Sequence, residues 1–188
     1  MTDKDALDRF LAEVERRAYR SVLFTVQDHH SALDIVQNAM LKLCERYRDR
    51  PPEEWPMLFQ RILQNAITDH HRRARVRNFW LRLMAPMRDQ EESSPGESLE
   101  ELDAADTSAQ GQDPLALADG RQTMAAIEAA IAELPLRQRQ AFLLRYWEDM
   151  DVEAVARVMG CSAGSVKTHC HRAIHALAKK LKAKGIAL

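Results

Sequence analysis

Nowhere in its 188 residues does the chain run apolar for the roughly 18 residues that a membrane span requires. The opening Met1-Thr2-Asp3-Lys4-Asp5 is polar and acidic, which predicts no secretory signal. A soluble, cytoplasmic protein without stable membrane insertion is expected. Cysteine is scarce: Cys44, Cys161 and Cys170 are odd in number and irregular in spacing, which argues against a disulfide framework. All three read as small apolar residues of a reducing compartment. There is no strand-like alternation and no internal repeat, which argues against sheets and solenoids. No nucleophile–base set and no phosphate loop stand out, so no catalytic residue and no cofactor are assigned and the chain is not read as an enzyme. Cys161 with His169-Cys170-His171 does not make a zinc pattern, because adjacent helical residues point about 100° apart.

What the chain does have is apolar material and a segregated charge. Hydrophobic residues make up 46%, enough for packed cores. The net charge of −1 divides into +3 over residues 1–83, −8 over 84–123 and +4 over 124–188. Two mildly basic blocks flanking an acidic one point to a polyanionic partner or an acidic interaction segment. Residues 84–123 also contain Glu91-Glu92-Ser93-Ser94-Pro95-Gly96-Glu97 and no aromatic residue, and read as a flexible linker. The expected fold is all-α: two small helical domains, 5–83 and 124–183, joined by that linker.

Helical spacing is clear in both blocks. Leu7, Phe10, Leu11, Val14, Ala18 and Val22 define a first helix. A break at Asp28-His29-His30 follows, and Ser31 with Asp34 resembles a capping box opening the next helix. There Ile35, Val36, Ala39, Met40, Leu43 and Tyr47 form the apolar stripe, and Asp34, Gln37, Asn38 and Leu41 lie on the opposite face. That face suits docking of a partner helix, with Leu41 as anchor. After Pro51-Pro52 a long helix is predicted from about 56 to 83, with Leu58, Ile62, Ala66 and Asp69 along one side. Its end, His70-His71-Arg72-Arg73-Ala74-Arg75-Val76-Arg77-Asn78-Phe79-Trp80, interleaves cations with rings, as nucleic acid binding requires. A solvated helix end with Phe79 and Trp80 turned into the core is the simpler reading of those two rings. Asp69-His70-His71 also spells a metal-phosphoesterase motif, but it lies mid-helix without further acidic clusters.

The second block ends in a helix-turn-helix. After a helix with Met124, Ile127, Ile131 and Leu134, Pro135 suits the first turn of a helix reaching about Trp147. A short helix with Val152, Val155, Ala156 and Met159 on one face precedes Gly160-Cys161-Ser162. Gly160 fits a left-handed helix end and Ser162 a cap for the last helix, to about Lys182. In that helix Val166, Cys170, Ala173, Ile174, Leu177 and Leu181 form the packing stripe. Lys167, Thr168, His171, Arg172 and His175 face outward, a cationic, donor-rich surface able to reach phosphates and base edges.

Four stretches carry a resemblance: Asp34-Ile35-Val36-Gln37-Asn38; Arg61 through Arg73, RILQNAITDHHRR; Leu134 through Tyr146, LPLRQRQAFLLRY; and Gly160 through His169, GCSAGSVKTH. In their order and separation the chain resembles the bacterial RNA polymerase sigma factors, sigma-70 family, of the small extracytoplasmic-function type. The resemblance implies a factor that binds core RNA polymerase and promoter DNA and directs transcription initiation. It implies that Asp34, Gln37, Asn38 and Leu41 dock on the clamp of the largest polymerase subunit. Arg48 to Trp55 would form a loop capturing a flipped base of the −10 element; Asn65 and Asp69 lie at the family's characteristic asparagine and aspartate of that −10 surface, Asn65 near the base pocket, and Arg72, Arg73 and Arg75 would follow the phosphates. Lys167, Thr168, His171 and Arg172 would read the −35 element, and an anti-sigma factor would be a further partner. Asn38 stands where the family usually has an acidic residue, Pro51-Pro52 stiffen the capture loop, and His171 departs from the usual larger apolar or basic side chain. The alternative is a stand-alone helix-turn-helix regulator, which leaves the Asp34–Leu41 face and the Asn65–Arg73 stretch without a purpose.

Overall fold

The computed structural model describes residues 3–84 and 114–186, and all the regular structure described is helical. Most of the stretch read as an acidic linker, 85–113, lies outside the described residues, as do the side chains of Phe79 and Trp80. The helices are α1 (Asp3–Val26), α2 (His29–Tyr47), α3 (Trp55–Met84), α4 (Pro114–Ala132), α5 (Leu136–Phe142), α6 (Val152–Met159) and α7 (Ala163–Ala183).

The first three helices close one core. Its centre is a row at i, i+4 spacing on α3, Trp55, Phe59, Leu63 and Ile67, all but inaccessible to water. Leu58, Ile62 and Ala66, the row expected from the sequence, lie beside it and are only partly buried. Against it pack Val36, Ala39 and Leu43 of α2 and Leu7, Leu11, Ala18 and Val22 of α1. Phe10 joins two of these groups, its ring 6.0 Å from that of Trp55 and 6.2 Å, edge-on, from Phe59. Full burial of each such side chain contributes about 1.5–3 kcal/mol. The start of α2 differs from the expected capping box. Its cap is Asp28, whose carboxylate accepts the Ser31 N–H at 2.7 Å, so the helix begins at His29.

The remaining helices form a second group of cores. Ile131 and Leu134 pack with Leu143, Ala173, Leu177 and Leu181, and Leu144, Val155, Val158 and Met159 pack with Val166 and Cys170. α4 begins at Pro114, inside the stretch read as linker; proline is at home in a first helical turn. Past Phe142, α5 continues as a single π-helical turn, Leu143–Trp147, in which the Glu148 N–H reaches back to the Leu143 carbonyl at 2.9 Å. The extra residue in that turn sets the direction of Trp147, whose ring meets Phe24 of α1 edge-on at 5.6 Å.

Phe24 is one of three side chains lent across a seam between the two groups of helices. It packs into the α4–α7 core, Met57 of α3 packs against the α6–α7 core, and Leu136 packs back against the α1–α3 core. The buried Arg139 lies at the centre of this seam.

Candidate nucleic-acid interface

The α6–turn–α7 unit is built by three local devices. The Asp151 carboxylate caps α6 by accepting the Ala154 N–H at 2.6 Å. Gly160 ends it with φ +62° and ψ +45°, a left-handed conformation that a side chain resists. Ser162 Oγ then accepts the Ser165 N–H at 3.1 Å and opens α7. Arg137 steadies the turn from outside, donating to the Met159 carbonyl at 3.1 Å. With Val166, Cys170, Ala173, Leu177 and Leu181 buried, Lys167, Thr168, His171, Arg172 and His175 are all exposed on the other side. Ile174 departs from the expected packing stripe and is 43% exposed. No acidic residue stands in the first turn of α7, so the positive end of its dipole adds to this cationic face.

The first group of helices carries two more exposed surfaces. On α2, Asp34, Gln37, Asn38 and Leu41 are all solvent-facing, and Leu41 is 57% exposed although it is apolar. Leu33, which the sequence reading passed over, is also exposed and shares a row with Gln37 and Leu41 at i, i+4 spacing. On α3, Asn65 is exposed, the Asp69 carboxylate pairs with Arg72 at 3.0 Å, and Arg72, Arg73 and Arg75 project into solvent. Arg48 is exposed at the end of α2.

Trp55 is a correction. Expected on the base-capturing loop, it is 2% exposed, in the middle of the α1–α3 core. Its indole N–H donates to the Tyr47 carbonyl at 3.1 Å, which pins the two ends of the 48–54 loop together. Burial of a large ring beside Phe59 outweighs any use of it in the loop, so Trp55 shapes the loop and does not touch DNA from it. Asp69, His70 and His71 also part company. Asp69 turns to Arg72, while His71 meets His70 edge-on at 5.7 Å and keeps its buried Nε2 without a protein partner. Burial, followed by His70, Arg139 and Arg75, holds the His71 imidazole below its ordinary pKa.

The family model for sigma-70, region 4, matches residues 124–177, the segment that contains this turn and the cationic face of α7. Over 168 residues the chain is 29% identical to the RNA polymerase sigma-E factor of Streptomyces coelicolor, covering 89% of this chain and 81% of the relative. It is 28% identical over 185 residues to the ECF RNA polymerase sigma factor SigM of Mycobacterium tuberculosis, covering 95% and 79%. Over most of its length the chain is thus similar to RNA polymerase sigma factors, those of the extracytoplasmic-function type among them, and its residues 124–177 match sigma-70, region 4. The fold agrees with that of a sigma factor RpoE from Bartonella quintana, solved in complex with the anti-sigma factor NepR. The TM-score is 0.63 at 20% identity, covering 93% of this factor and 96% of that chain. Among the described residues of the factor, no helix is long and apolar enough to cross a membrane.

What sequence reasoning missed in this factor is Arg139. Its guanidinium donates to the carbonyls of Ala132 and Leu134, at the end of α4, and to those of Phe24 and Thr25, at the end of α1. The arginine is part of a quoted motif, but partners more than a hundred residues away leave no periodic trace.

Proposed function

We propose that residues 5–83 and 124–183 of this factor work as two DNA-reading modules carried on one polymerase and tied by the acidic stretch 84–123. The factor binds core RNA polymerase and directs promoter recognition and DNA-templated transcription initiation. It acts in the cytoplasm, with no catalytic role of its own. The Asp34, Gln37, Asn38 and Leu41 face docks on the polymerase clamp. Arg48, Asn65 and Asp69 border the melted −10 element, and Arg72, Arg73 and Arg75 follow its phosphates. Lys167, Thr168, His171 and Arg172 read the −35 element in the major groove. The related fold solved with an anti-sigma factor supports a partner of that kind for this chain.

The observation that carries this reading is the exposed cationic face of α7 inside the segment matched to region 4. Physically, neither module makes more than a handful of phosphate contacts, so each alone binds weakly. Held on one polymerase they act multivalently. Flipping a base out of the duplex costs a few kcal/mol, which a protein pocket offsets. The test is run-off transcription with purified core polymerase on genomic DNA, with and without the factor. Specific transcripts that depend on the factor are expected, together with poor DNA binding by the factor alone. A strong promoter footprint without polymerase would select the stand-alone regulator instead.

A further inference from the structure

The chain has seven histidines, and three of them, His169, His171 and His175, stand on α7. Successive helical residues turn by about 100°, so His171 and His175, four apart, lie within about 40° of each other around the helix axis. Residues at that spacing are neighbours on the helix surface, with Cβ atoms about 5–6 Å apart. Both rings are exposed, and among the described residues neither takes part in a hydrogen bond, an ion pair or a ring contact. His169 is of a different kind. It is half-buried on the far side of α7, about 160° from His171, and its Nδ1 is buried.

Two free imidazoles one turn apart make a chelate for a metal ion. The same spacing carries the two zinc-binding histidines of an H-E-x-x-H helix. Zinc–nitrogen bonds of about 2.0–2.1 Å let one ion bind both rings. The backbone that places them is firmly held. Ser162 caps the helix by accepting the Ser165 N–H at 3.1 Å, and Val166, Cys170, Ala173 and Leu177 anchor the opposite stripe in the core. Ligands positioned by packing lose little freedom on binding.

The surroundings set the class of ion. Lys167 stands one turn before His171, Lys179 one turn after His175, and Arg172 beside them; among the described residues none of these three cations is paired with a carboxylate. Such a face offers nothing to Mg²⁺ or Ca²⁺, which take oxygen ligands. It suits a dication that prefers imidazole, such as Zn²⁺, Ni²⁺ or Cu²⁺. Among the described residues no group of three or more His, Cys, Asp or Glu is placed to hold a metal, so the ion would have two protein ligands and keep open positions.

We propose that His171 and His175 form a metal site on the outward face of α7, a two-imidazole clip for an imidazole-preferring dication such as Zn²⁺, and that its occupation withdraws His171 from DNA. The ring nitrogen that binds the ion is lost to hydrogen bonding, and the ring is turned towards its partner. The open positions on the ion accept phosphate oxygens, which carry no sequence information. Occupation therefore lowers selectivity for the −35 element more than it lowers overall affinity for DNA. That consequence rests on the function proposed above, whereas the metal site does not.

The test is titration of the full chain with zinc chloride at about pH 7.5, where ordinary imidazoles are neutral, read by calorimetry and by the histidine imidazole resonances. One equivalent should bind, shifting the resonances of His171 and His175 and leaving that of His169 in place. His171→Gln and His175→Gln should each weaken binding about tenfold or more, since even loss of a group that merely supports a ligand costs that much. His169→Gln should keep the affinity, and circular dichroism checks that the helices persist in all three. No binding at about 1 mM zinc, or binding undiminished in both His171→Gln and His175→Gln, overturns the site. Run-off transcription with core polymerase reads the consequence. Zinc should reduce −35-dependent transcripts relative to the zinc-free level, and in His175→Gln that reduction should vanish. Zinc bound at the pair with those transcripts unchanged overturns the withdrawal of His171. A lack of any factor-dependent transcript overturns the proposed function instead and leaves the calorimetric result standing, so the two readings fail separately.

Discussion

Leu41 and Trp55 lie a short loop apart and show opposite relations between exposure and use. Leu41 is apolar and more than half exposed, so its removal costs the fold little. Leu41→Ala should leave the unfolding free energy within about 0.5 kcal/mol of the parent, as at most surface sites. If it anchors the clamp interface it should weaken core polymerase binding about tenfold or more, which is about 1.4 kcal/mol or more. Trp55→Ala should do the reverse, costing about 3–5 kcal/mol of stability through lost burial and a cavity. Denaturant titration and polymerase binding by both variants check the pair; a strongly destabilised Leu41→Ala would remove it from the docking face. The sequence made Leu41 legible because one apolar residue broke an otherwise polar helical face. Trp55 was not legible, because an aromatic residue at the end of a loop can turn either way, and only packing against Phe10 and Phe59 decides.

At the scale of elements, the α6–turn–α7 unit was readable almost in full, since its signals are local: a capping carboxylate, a glycine, a capping hydroxyl and two amphipathic stripes. The parts that went unread were less local. The helical start of α4 at Pro114 sits in an acidic, polar stretch that reads as linker, although alanine and leucine after the proline are good helix formers. The π turn after Phe142 leaves the hydrophobic pattern almost unchanged while redirecting Trp147. Gly160 offers a clean test of the turn. A methyl group added there would meet nothing within 4 Å, so any penalty comes from the backbone alone. Gly160→Ala should cost about 1–2 kcal/mol, the penalty of the left-handed conformation, and Gly160→Asn clearly less. Equal costs for the two in chemical denaturation would show that the conformation is not what the glycine supplies.

For the whole molecule, composition divides the chain into two basic blocks around an acidic stretch but gives no sign that the blocks meet. The contacts that join them pair residues far apart in the chain, such as Arg139 with Thr25, and each looks like an ordinary polar or core residue locally. Arg17 and Glu148 allow the meeting to be measured without touching Arg139, which also holds the end of α4. Glu148 is nearly buried, while Arg17 is half exposed and so contributes weakly. Removing Arg17 nevertheless strands a buried carboxylate and should favour opening. If only the open form assembles with polymerase, apparent affinity is reduced by the fraction that is open. Arg17→Ala should then bind core polymerase more tightly, by up to roughly fivefold for a pair worth at most about 1 kcal/mol. Glu148→Gln removes the buried charge that desolvation disfavours, so it should not bind more tightly than the parent, and Arg17→Ala added to it should gain less than on the parent because the contact is already broken. Affinities measured at neutral pH decide the matter: weaker binding by Arg17→Ala would mean that the closed arrangement helps assembly and does not compete with it.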